Sequence, residues 1–239
     1  DAEATHLRLD LGNCKLRWEL HTEFVSWTWV VPISADALDD AELPVASDAV
    51  PAQWLAGLPG QCLLAMHVWA LGSTPALERR AEQRWLYGDK LIAADVASQQ
   101  ARVYTDFAIH PDGASRLFVF NRGLAPARMG RLVQRLIEVE TYRMAALLGL
   151  PAARQTMAQL SATEAELAQL SEAIRSAGAT SEPQLLDQLT RLAAQVESQY
   201  AAHYSRFSAS AAYFALVQQR VRDIDETRLA GFQTIRDFM

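Results

Sequence analysis

Only two of the 239 residues are cysteines, Cys14 and Cys62, far apart and without a CxxC. That excludes a disulfide framework and a zinc site built on thiolates, and reads as two thiols in a reducing compartment. No apolar run reaches the ~18 residues needed to cross a bilayer, so nothing within this stretch spans a membrane. Basic residues are scattered, and 22 Lys and Arg against 28 Asp and Glu leave a net charge of −6. That balance argues against nucleic acid as the main partner and against a lipid-surface patch. GxGxxG, a Walker-type loop, a GxSxG elbow and HExxH are all missing, so no familiar catalytic or nucleotide-binding signature is present.

What remains is half hydrophobic, enough for the core of one large domain or two modest ones. The pattern changes near residue 123. Residues 1–123 carry period-2 stretches, most of the aromatic residues and most of the prolines. "HLRLDL" and "CKLRWELHTEFVSWTWVV" flank a tight turn at Gly12-Asn13, and the second run is long enough to need a bulge or bend. Short helices are expected around 51–58 and 75–85, with a buried strand over 62–71 between them. A meander follows over 90–96, 101–110 and 115–121, turned by Ser98-Gln99-Gln100 and Pro111-Asp112-Gly113. The fold class expected is α+β: a mostly antiparallel sheet domain with short helices (1–123), then a helical arm (124–239).

The arm reads as three helices, about 126–148, 152–176 and 183–239, forming a long antiparallel hairpin or stalk with coiled-coil character. Gly149-Leu150-Pro151 ends the first and Ala177-Gly178 the second, while Ser181 caps the third. Small polar residues over 205–210 mark a break or a close helix approach.

Strand alternation over 17–29 places Arg17, Glu19, His21 and Glu23 on one face and Trp18, Leu20, Thr22 and Phe24 on the other. Three ligands along a straight strand converge poorly on a metal, so a cation at Glu19, His21 and Glu23 needs a bulge or help from Asp106. The simpler reading is a charged strand face, pairing with residues such as Arg102 or Asp106. Asn121-Arg122-Gly123-Leu124 opens the first long helix, and its amides are placed to receive an anion. Glu138 and Glu140 lie ~200° apart on that helix and do not share a site. The residues singled out for interaction are Arg17, Glu19, His21, Glu23, Asp106, Arg122 and Arg206; no catalytic or cofactor-binding residue is assigned.

Four stretches, "LRWELHTEFVSWTW" (16–29), "ARVYTDFAIHPDGASRLFVFNRGL" (101–124), "GRLVQRLIEVETYRMAALLGLP" (130–151) and "YSRFSASAAYFALVQQRV" (204–221), carry a resemblance. The sequence resembles a bacterial family of membrane-anchored proteins catalogued only as a domain of unknown function. It departs at Leu20, where that family tends to have a basic residue, and at Trp27, where Tyr is usual. The resemblance implies more sheet domain upstream, more helix and then membrane segments downstream, and a place on the cytoplasmic face of the bacterial inner membrane. The layout is similar to the cytoplasmic part of CorA-type magnesium channels, although no metal-sensing residue carries over.

The expectation is therefore a non-enzymatic cytoplasmic domain of an oligomeric membrane-anchored protein. One form is a channel-like regulatory domain responding to a divalent cation, the one ligand kept open. The alternative is a membrane-tethered scaffold or assembly factor that binds another protein. A third, a metal-dependent hydrolase using Glu19, His21, Glu23 and Asp106, requires those side chains to converge.

Overall fold

The computed structural model describes residues 4–34, 36–38, 43–176 and 182–239. It is α+β, with a three-stranded antiparallel sheet and a mixed five-stranded sheet, followed by long helices. In the mixed sheet, Ser73 N–H bonding the Asn121 carbonyl sets the first strand parallel to its neighbour. Two compact units form, Asp1–His67 and Val68–Met239. The change of pattern at residue 123 lies inside the second unit, where strands and long helices pack together. There Ala97 N–H donates to the Ile224 carbonyl at the end of the last long helix.

In the first unit, β1 (His6–Asp10), β2 (Lys15–Leu20) and β3 (Val25–Val30) make an antiparallel sheet in that order. Gly12, at φ +86°, turns β1 into β2, and the Asp10 carboxylate accepts from its amide. The long run 14–31 is not one bent strand but a hairpin. His21 N–H bonds the Phe24 carbonyl at 2.9 Å, and the two rings stack 4.3 Å apart.

The register pairs Leu7 with Trp18, Leu9 with Leu16, Leu16 with Trp29, Trp18 with Trp27 and Leu20 with Val25. Paired residues share a face, so one side of this sheet is wholly apolar and the other carries Arg8, Lys15, Arg17 and Glu19. Trp54 of α1 (Ala52–Ala56) meets Trp27 and Trp29 edge-on at 5.1 and 5.8 Å. Even so, Cys14 and Leu16 are the only buried apolar residues among those described in this unit.

The second unit is built on β4 (Met66–Gly72), β5 (Ile92–Val96), β6 (Ala101–Thr105), β7 (Ser115–Asn121) and β8 (Thr227–Arg228). The order is β4-β7-β6-β5-β8, and the three expected meander strands stand side by side at its centre. Register puts Ala93, Tyr104 and Phe118 on one face and Ala94, Val103 and Val119 on the other. On the aromatic face, Trp69 and Trp85 stack on Phe118 at 4.7 and 5.3 Å, and Phe232 meets Tyr104 edge-on. Both faces are buried, which explains the nearly continuous apolar strands.

Before β5 comes α2 (Pro75–Arg80), capped by the Thr74 hydroxyl with Pro75 in its first turn. After β7, α3 (Pro126–Leu147) and α4 (Gly149–Ser176) follow each other with only Leu148 between them. The expected stop at 149–151 is therefore a bend. Pro151 falls in the first turn of α4, where its missing N–H costs nothing. A Cβ on Gly149 would lie 3.2 Å from the Cβ of Ser210, so glycine is what lets the next helix approach.

That helix, α5 (Glu182–Asp223), runs through 205–210 without a break and ends 16 residues earlier than its periodicity suggested. Ile224 is buried, Asp225 turns at φ +51°, and the chain returns through β8 to a short α6 (Ile235–Phe238). The Asp225 carboxylate accepts from the amide and hydroxyl of Ser98, fixing that return. Tertiary burial thus overrides the helical stripe. Arg135 bonds the Asp223 carbonyl, Arg220 pairs with Glu138, and Tyr213 stacks on Tyr142, so α5 runs antiparallel to α3 and α4. The expected break at Ala177-Gly178 and the Ser181 cap lie outside the described residues.

Candidate functional site

The seven singled-out residues disperse. Arg17 and Glu19 sit on the polar face of β2 and pair at 2.5 Å. His21 and Glu23 fall in the β2–β3 turn rather than on that strand face. His21 Nε2 is 3.3 Å from the Ser26 hydroxyl. The neighbours of β2 are β1 and β3, so Arg102 and Asp106 are not its cross-strand partners. Asp106, Arg122 and Arg206 belong to the second unit, the first just after β6, the second just after β7 and the third on α5. Among the described residues no group of three or more His, Cys, Asp or Glu could hold a metal ion.

Arg122 leads to a cluster that sequence reasoning missed. Asp95 stands opposite Arg102 in the β5–β6 register, and the guanidinium grips it through Nε and a terminal nitrogen at 2.6 and 2.9 Å. Glu78 on α2 reaches over the same face. It accepts from Ser73 (2.6 Å), Tyr104 (3.2 Å), Arg102 (3.2 Å) and, through both oxygens, Arg122 (2.8 and 2.9 Å). Burial would raise the Glu78 carboxyl, but hydrogen bonds from Ser73 and Arg122 and the arginine charges outweigh it and hold the pKa below its usual value. The Asp95 hydrogen bond raises the pKa of Arg102, and burial raises that of Tyr104. Two arginines and two carboxylates lock α2 onto the sheet beside an open surface pocket.

The second cluster is centred on Asp106. One carboxylate oxygen lies 2.9 Å from His110 Nε2 and accepts from the Tyr87 amide at 2.9 Å; the other accepts from Ala108 N–H at 3.1 Å. Tyr87 lies flat on the His110 ring at 4.4 Å, and both members of the acid–imidazole pair are buried. Such a pair can orient a catalytic base. Here the same carboxylate also takes the Tyr87 and Ala108 amides, and Phe107 is held at φ +46° beside it, so the pair anchors the chain after β6. The Asp-x-x-x-His spacing was visible in the sequence and went unread.

On α3, Glu138 pairs with Arg220, whereas Glu140 is buried and takes a two-pronged bond from Arg143 at 2.6 and 2.7 Å. The Arg143 guanidinium also lies 5.6 Å from the rings of both Phe107 and Phe238. The two acids thus serve different partners, as their helical spacing required. The amides of Gly123 and Leu124, read as an anion seat, are taken by the Asn121 side chain at 3.0 and 2.7 Å. No helix of the described residues is long and apolar enough to cross a membrane.

The charged groups with described partners therefore hold the fold together, while the apolar sheet face of the first unit contacts little. Residues 1–239 match the family model described as a protein of unknown function, DUF3422. No curated protein and no solved structure matches.

Proposed function

The chain belongs to the DUF3422 family of proteins of unknown function, and on that premise we propose that it is a non-enzymatic scaffold that binds another protein through the apolar face of β1–β2–β3. The observation that carries this reading is the exposure of Leu7, Leu9, Leu20 and Val25 on a face with no polar residue in its strands. Three strands ~4.8 Å apart and five or six residues long present on the order of 250 Å². That suits one apolar or amphipathic segment of a partner and falls well below the ~800 Å² per side of a stable dimer.

In this reading the scaffold is a homo-oligomer held at the cytoplasmic face of a bacterial inner membrane by segments outside these residues. The cation-responsive form draws less support. Glu19, Glu78, Asp95, Asp106, Glu138 and Glu140 each have an arginine, histidine or amide partner that a cation would have to displace.

Photo-cross-linking in cells tests the proposal, with the reactive side chain at Leu9 or Val25 and, as control, at Arg8 or Thr28 on the polar face. A discrete protein adduct from the apolar positions alone is expected. Equal adducts from both faces, or none from Leu9 and Val25, would sink it.

A further inference from the structure

The α4–α5 hairpin has its own unpartnered apolar face. Thr163 and Leu170 of α4 and Leu192 of α5 are buried and mark the line along which the two helices meet. Counting 100° per residue from that line, Leu160, Leu167 and Ile174 stand about 50° to one side and Met157 about 100°. The same count on α5 puts Leu189 and Val196 about 50°, and Leu186 and Tyr200 about 100°, to the side of equal sense. In antiparallel helices, turns of equal sense lead to the same side of the pair. The two stripes therefore merge into one surface.

All of these side chains are exposed: Met157 is 69%, Leu186 64% and Tyr200 63% accessible. The spacing is heptad throughout, 160–167–174 on one helix and 186–193–200–207–214 on the other, the last series ending on exposed Phe207 and Phe214. Glu164 is an acidic residue within the stripe. The opposite side of the hairpin is polar by the same count, with Gln155, Gln159 and Glu166 facing Gln188, Arg191 and Gln195.

We infer that this face is the contact by which two copies of the chain pair, hairpin on hairpin about a two-fold axis, into an antiparallel four-helix bundle. Three considerations choose the occupant. The exposed apolar side chains present on the order of 1,000 Å² per chain, more than the ~800 Å² a stable dimer requires from each side. A surface two helices wide is left half uncovered by a single partner helix, whereas its own copy closes all four stripes around one core. A lipid surface would call for basic flanks, yet residues 150–214 hold four arginines, no lysine and six acids. The inference gives the proposed oligomer its geometry and uses residues separate from the β1–β3 face, so either can fail without the other.

The test is the solution mass of the 239-residue chain by light scattering, for wild type and for Leu167→Glu with Val196→Glu. At ~50 μM, a concentration at which any micromolar dimer is well populated, wild type is expected at twice its 26.5 kDa chain mass. The double variant is expected at the single mass with unchanged circular dichroism. Gln155→Glu with Gln195→Glu, both exposed on the polar side, should leave the dimer intact. Should the double variant lose helix, Met157→Lys replaces it, since that side chain packs least. A monomeric wild type overturns the inference, and so does a folded apolar-face variant that stays dimeric.

Discussion

The β1–β2–β3 sheet and the β5–β6–β7 meander are both antiparallel, with strands of five to seven residues, yet the first buries almost nothing and the second almost everything. The strands differ in what flanks them. Around β6 and β7, Trp69, Trp85 and Phe232 close one face, and buried Ala94, Val103 and Val119 fill the middle of the other. Over the first sheet the described cover is slight, Trp54 from a helix of five residues and the short turn 46–49 beside β3. Alternating sequence makes a sheet with one thirsty and one wet side; continuous apolar sequence makes one that needs covering twice. Of the two sheets, the second therefore carries stability and the first offers contact surface.

Breaking the covered sheet should produce the largest effect. Phe118→Ala removes a fully buried ring from between Trp69 and Trp85 and should cost about 4 kcal/mol by denaturant titration. The cost of Trp27→Ala, on the open sheet, should be well under half of that.

Next comes the charge lock. Glu78→Gln strips a buried partner from two arginines and should cost about 3 kcal/mol at neutral pH. Because the folded-state pKa of Glu78 lies below the ordinary 4.5, its contribution is complete above that pH and disappears as pH falls through the lower folded value. Acid titration of stability should thus be flatter below pH 4.5 in Glu78→Gln than in wild type. Identical acid limbs would remove Glu78 from the account.

The smallest effect is the sharpest test of the comparison. Leu9→Lys on the open face should change stability by no more than about 0.5 kcal/mol. A loss near that of Phe118→Ala would mean that this face is a core.

Which parts were legible follows from how each is held. The β5–β6–β7 meander could be read because Ser98-Gln99-Gln100 and Pro111-Asp112-Gly113 announce its turns. The β2–β3 turn is His21-Thr22-Glu23-Phe24, with no glycine, proline or asparagine, and a ring stack closes it instead. Alternation therefore ran straight through it, and the candidate site built on His21 and Glu23 dissolved. The end of α5 was equally hidden, since Val221, Ile224 and Phe232 keep helical spacing although a strand and a short helix follow. Glu78 and Arg122 are 44 residues apart, and nothing local in either segment announces the other.

The two-residue strand β8 has a consequence for how this protein is made. It covers the outer edge of β5, but it leaves the ribosome ~130 residues later, which at 5–20 residues per second means a wait on the order of ten seconds. Throughout that interval the nascent chain carries a strand edge able to recruit a neighbour, and only completion of the long helical excursion withdraws the invitation. Synthesis order thus makes Thr227 and Arg228 the closing stitch of a sheet begun more than a hundred residues earlier.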